Sequence, residues 1–249
     1  MTLAWILAAS VAGGTLSAGL AAVALLLRAT WVPMLVSFAI GALLGAAFLE
    51  LIPHAFEIGE AHQVAFSLLG GIFGFFVLEK LLLWRHCHTE HCEVHDAHDQ
   101  GRSGTLIIVG DTVHNFIDGV LIAAAFLQST ELGVVAAVAI IAHEIPQEVG
   151  DFLILLHSGY SRLRALAMNL ASSAATVAGG VMGYFGLQLV EGLEAPLLGV
   201  VAASMIYVAV ADLIPGLHKR PELRDTATQA LLIALGIGAI AMVGVVLPH

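Results

Sequence analysis

The stretch VGDTVHNFIDGVLIAAAF, Val109 to Phe126, decides the fold. Its second half is as apolar as a lipid tail, whereas its first half carries Asp111, His114, Asn115 and Asp118. The run that contains it, 105–127, matches the roughly 20 residues a helix needs to cross a bilayer. The chain around it is of the same kind: 249 residues, 59% hydrophobic and 11% charged, with a mean hydropathy of +0.95. Soluble domains carry about 25% charged residues. One core cannot hide this much apolar surface, so a soluble fold is excluded and the solvent is lipid.

Seven further apolar runs flank this one: 3–27, 33–56, 63–84, 132–157, 163–190, 196–217 and 227–247. Backbone in lipid must satisfy its own polar groups, and no alternating strand pattern is present. The expectation is an all-α polytopic membrane protein with eight transmembrane helices. Residues 1–249 are expected to form a single transmembrane domain, with a His/Cys-rich cytoplasmic loop at 85–104. The N-terminus has no basic segment before its apolar run and reads as a first spanning helix rather than a cleaved signal. Two cysteines, Cys87 and Cys92, are too few for a disulfide framework.

All nine basic residues (Arg28, Lys80, Arg85, Arg102, Arg162, Arg164, Lys219, Arg220 and Arg224) fall at alternate connections or the adjacent helix ends. The other connections carry Glu57, Glu60, Glu131, Glu191 and Glu194. The positive-inside rule then places both termini outside, in a plasma membrane, or an inner membrane if the chain is bacterial. Run two contains ELIP (Glu50–Pro53) and run seven DLIP (Asp212–Pro215), on helices that this topology makes antiparallel. An inverted repeat of helices 1–3 and 6–8 around helices 4 and 5 would leave such an echo.

In the fourth run Asp111, His114, Asn115 and Asp118 are spaced i, i+3, i+4, i+7, one stripe of a helix. His114 lies roughly 14 Å into the run, near mid-bilayer. The fifth run answers with AHEIPQEVGD. His143, Gln147 and Asp151 form one stripe, and Glu144 and Glu148 a second, about 100° round. Pro146 leaves the carbonyl of Ala142 without an amide donor, and a kink is expected there. A charge at the bilayer centre costs about 2.5–3.5 kcal/mol even on the lenient scale, and these two runs hold five acids with no intramembrane Lys or Arg. A lone buried His on a membrane helix bonds to a neighbouring helix; nine polar residues in facing stripes require protons, water or a bound cation. Imidazole, carboxylate and amide together suit zinc, ferrous iron or manganese.

HNFIDG followed by HEIPQEVGD resembles the paired signatures of the ZIP (Zrt/Irt-like) metal transporter family, closest to the subfamily with HNFxDG and HExPHExGD. The resemblance implies a two-metal site between helices 4 and 5, transport of divalent metal into the cytoplasm, and a homodimer. By that motif His114, Asp118, His143 and Gln147 line the first metal position, and Asn115, Asp118 and Glu144 the second, with Glu148 beside them. Gln147 stands where the subfamily has His. Helix 6, where relatives often carry an acid, offers only Asn169, Ser172 and Ser173.

Glu50 and His54, one turn apart, read as the outer mouth, continued by Glu57, Glu60 and His62. Asp111, Asp151 and Asp212 read as an exit path, with His157 near its inner end. The tract HCHTEHCEVHDAHD holds His86, Cys87, His88, His91, Cys92, His95 and His98, a metal-binding composition, here an acceptor or sensor of metal. The substrate is zinc, with iron, manganese and cadmium as further candidates; no organic cofactor and no nucleic acid is expected. Two other readings compete. HEIPQE begins like the H-E-x-x-H of zinc hydrolases, although Gln147 replaces the second His. A metal exporter of another family would typically carry a large cytoplasmic domain, which this sequence lacks.

Overall fold

The computed structural model describes residues 1–24, 32–86, 102–189, 192–218 and 223–246. These form helices and short connections, with no strand among them, as backbone solvated by lipid requires. The spans are α1 (Thr2–Ala24), α2 (Val32–Gly45, a π turn Ala46–Leu51, then Ile52–Ile58), α3 (Ala61–His86), α4 (Arg102–Gln128), α5 (Thr130–His157), α6 (Arg162–Leu187), α7 (Glu194–Tyr207, a π turn Val208–Leu213, then Ile214–Leu217) and α8 (Leu223–Val246). All eight are long and apolar enough to cross a membrane. Of the loop expected at 85–104, residues 85–86 end α3 and 102–104 begin α4, and the rest lies outside the described residues. Polar flanks continue the helical hydrogen-bond ladder beyond the apolar stretch.

Tight turns fix the antiparallel order of α4, α5 and α6. A single residue, Ser129, links α4 to α5; its side chain accepts the Leu132 amide at 3.1 Å and caps α5. At the other end of α5, Gly159 adopts φ +87°. The Gly159 amide bonds Leu156 O and the Tyr160 amide bonds Leu155 O, a Schellman ending that needs the left-handed conformation glycine allows. α5 runs through Pro146 without interruption, so the proline removes one hydrogen bond but does not end the helix.

The two outer triplets of helices pack in matching fashion. α2 lies against α8, where a methyl on Gly41 would strike the Ile233 carbonyl and one on Gly236 the Phe38 carbonyl. α7 lies against α3, with Gly71 against Ala203 and Gly199 against Ser67. The ELIP and DLIP segments have the same local structure. Glu50 and Asp212 each occupy the fifth place of a π turn, and a proline follows just beyond it. α4 crosses α6 backbone to backbone, Gly119 meeting the Thr176 carbonyl and Gly179 the Phe116 carbonyl. Small residues permit such approach in lipid, where packing drives association.

The main apolar core, including Leu51, Ile122, Phe126, Leu132, Ile140, Leu198 and Met205, fills the end of the bundle where α4 turns into α5. A smaller cluster of Ala21, Val149, Phe152, Leu155 and Ala165 lies toward the α5–α6 turn. The polar stripes of α4 and α5 are confined between the two.

Candidate metal centre

The close packing of α4 on α5 brings His114, Asp118 and His143 to one point. Their ligand atoms all lie within 4.8 Å of one another. The two histidine Nε2 atoms are 3.1 Å apart, with their rings edge to face. Asp118 Oδ2 is 3.4 Å from each Nε2. His143 and Asp118 are buried, whereas the His114 side chain keeps 28% of its surface accessible. Two imidazoles and a carboxylate around a buried point form a donor set for a borderline divalent cation, with a coordination position left over for water or exchange.

The remaining polar residues divide between two directions. Asn115, Glu144 and Glu148 are buried beside the cluster. Glu144 is within electrostatic reach of Asp118 and Asp111, and α1 passes over it at Gly13. Glu148 turns toward α6: Ser173 Oγ is 2.8 Å from both Glu148 Oε1 and the Asn169 carbonyl oxygen, and Asn169 Nδ2 donates to the Glu148 carbonyl at 3.0 Å. Gln147 donates its Nε2 to Asp111 Oδ1 at 3.3 Å. In place of an acid, α6 presents Ser172 against Asp111, Ser173 against Glu148 and Thr176 against Glu144.

Of the expected path residues, Asp111, Asp151 and Asp212 are electrostatically linked. Asp151 senses Asp111 and Asp212, and Asp212 senses His114 and His143. Sequence reading missed Glu79 on α3, which also faces Asp212 and accepts a hydrogen bond from Tyr207; its place in the final turns of an apolar run, beside Lys80, gave it the look of a helix-end residue. At the opposite end Glu50 lays its carboxylate against Gly244 of α8, and His54 Nδ1 is 3.7 Å from Glu57 Oε2. His157 is the last residue of α5 and His86 the last of α3. Cys87, His88, His91, Cys92, His95 and His98 lie outside the described residues.

An eight-span helical bundle that brings two histidines and an aspartate together defines a polytopic membrane protein with a cluster that could hold a metal ion. The family model described as ZIP Zinc transporter matches residues 84–244, and the chain belongs to the ZIP family. It is 32% identical over 225 residues to "Zinc transporter ZIP13" of Pongo abelii, covering 82% of this chain and 64% of that protein. It is 31% identical over 271 residues to "Zinc transporter ZIP4" of Mus musculus, covering 82% of this chain and 40% of that one. The chain is also 28% identical to "Zinc transporter ZIP13 homolog" of Drosophila melanogaster, covering 87% of this chain and 78% of the relative. The chain thus spans less than two thirds of the first two. The hydrolase reading of HEIPQE is not supported: the family model and these relatives are described as zinc transporters.

Proposed function

We propose that the protein carries divalent metal cations, zinc foremost, across the membrane into the cytoplasm, with both termini outside. The observation that carries this reading is the convergence of His114, Asp118 and His143 on one buried point, in helices without an intramembrane Lys or Arg to neutralise their acids. Buried anions are tolerable there because a travelling cation visits them. The ion passes Glu50 and His54 on the outer side, sheds water, binds the three-residue cluster, with Asn115 and Glu144 available to a second ion, and leaves past Asp111, Asp212 and Asp151. The membrane potential, negative inside, favours inward movement of a divalent ion by about 4.6 kcal/mol per 100 mV.

The distribution of packing supports an inward-facing state. The apolar core closes the side of the cluster toward Glu50, while the acids occupy the other side. Exposed apolar residues on α3 (Phe66, Leu69, Phe73) and α8 (Leu231, Leu235, Met242) give lipid and a second copy of the chain their surface in a homodimer. The deciding experiment is radiometal uptake into proteoliposomes, zinc competing against cadmium, ferrous iron and manganese. Zinc flux that cadmium inhibits supports the reading, and vesicles no more permeable to any of the four than protein-free ones refute it.

A further inference from the structure

Gln147 and Asp111 form a second rung between α4 and α5. Gln147 follows His143 by one helical turn and Asp111 precedes His114 by about one turn, so their 3.3 Å hydrogen bond lies just on the α5–α6 side of the 3.1 Å histidine contact. Asp111 is buried, and its Oδ2 accepts no hydrogen bond. The bonded atom of Gln147 is the amide nitrogen, which has no lone pair for a metal. A departing cation that reaches Asp111 therefore meets a carboxylate with one oxygen already held by an N–H donor, and can take both oxygens only by displacing that donor.

We propose that Gln147 is a positioning residue that closes the inner side of the cluster, rather than a ligand. Its N–H holds Asp111 until the ion takes that place on the carboxylate, and this exchange sets the rate of release. The proposal rests on the transport reading above. An imidazole at 147 would act differently, because a third nitrogen ligand holds the ion instead of yielding to it.

The test compares Gln147→Leu, Gln147→Met and Gln147→His in the full chain. One arm measures the zinc dissociation constant in detergent by calorimetry, and the other measures zinc flux in proteoliposomes. Leu and Met are expected to leave zinc binding unchanged and to raise maximal flux by roughly three- to ten-fold, the effect of removing one hydrogen bond of ordinary net strength from the release barrier. His is expected to tighten binding and lower maximal flux. Leu and Met are independent, so either one that inserts correctly decides the matter. Weakened zinc binding in either makes Gln147 a ligand and overturns the proposal, as does a flux that stays the same or falls while binding is unchanged. A wild-type protein that binds zinc but moves none sinks the transport reading and the release role with it, while the binding arm still answers whether Gln147 is a ligand.

Discussion

The Nε2 atoms of His114 and His143 lie 3.1 Å apart across the α4–α5 interface, and one oxygen of Asp118 is 3.4 Å from both. The pair is set by geometry on two helices whose antiparallel order is fixed by the single-residue link at Ser129. A divalent ion drawn into this arrangement replaces an imidazole–imidazole contact with metal–nitrogen bonds and neutralises a buried carboxylate. Binding is therefore coupled to the stability of the fold.

Zinc added to the purified protein in detergent should raise its unfolding temperature. At a free concentration one hundred times the dissociation constant, binding to the folded state alone contributes about 2.7 kcal/mol. Asp118→Ala should abolish the zinc-dependent shift. Thermal unfolding followed by intrinsic fluorescence checks this, and an equal shift in wild type and variant would place the zinc elsewhere.

The α4–α6 crossing depends on glycine. Gly119→Ala or Gly179→Ala sets a methyl against a carbonyl of the facing helix and should destabilise the protein by about 1–3 kcal/mol or more, the range for overpacked sites. Gly19→Ala, which meets nothing within 4 Å, should be neutral within about 0.5 kcal/mol. Denaturation midpoints of the three variants decide, and equal midpoints would contradict the close approach.

Asp212 is exposed on α7 and couples electrostatically to both histidines. Asp212→Asn should lower maximal flux while leaving equilibrium zinc binding intact, because on the proposed path the residue meets the ion only after it leaves the cluster. A transport assay paired with calorimetry separates the two effects; loss of binding would make Asp212 part of the binding set.

Much of this was legible in the sequence. Hydropathy marks all eight spans, because about 20 apolar residues per crossing is a strong constraint, and helical spacing puts His114 and Asp118 on one stripe and His143 on a second, which the resemblance to the ZIP signatures joins into one site. The partners within a stripe were not legible. Glu148 and Gln147 are neighbours in the same motif, yet Glu148 turns to Ser173 on α6 and Gln147 to Asp111 on α4. Side-chain direction is set by what the facing helix offers, and Ser173 and Thr176 look in sequence like ordinary small packing residues. Glu79 escaped for a similar reason: only the fold brings α3 against α7 at Tyr207.

The His/Cys tract between α3 and α4 should be an accessory. Deleting Cys87 to His98 is expected to change the rate or its regulation and leave metal uptake measurable. Complete loss of uptake in a correctly inserted deletion protein would make the tract part of the pathway.

The most direct test of the central claim is radioactive zinc uptake into proteoliposomes that carry the double variant Asp118→Ala/His143→Ala. The account predicts uptake at the level of protein-free vesicles, with the protein inserted and its helical content unchanged. Uptake at the wild-type rate would contradict the assignment of the metal path to this cluster.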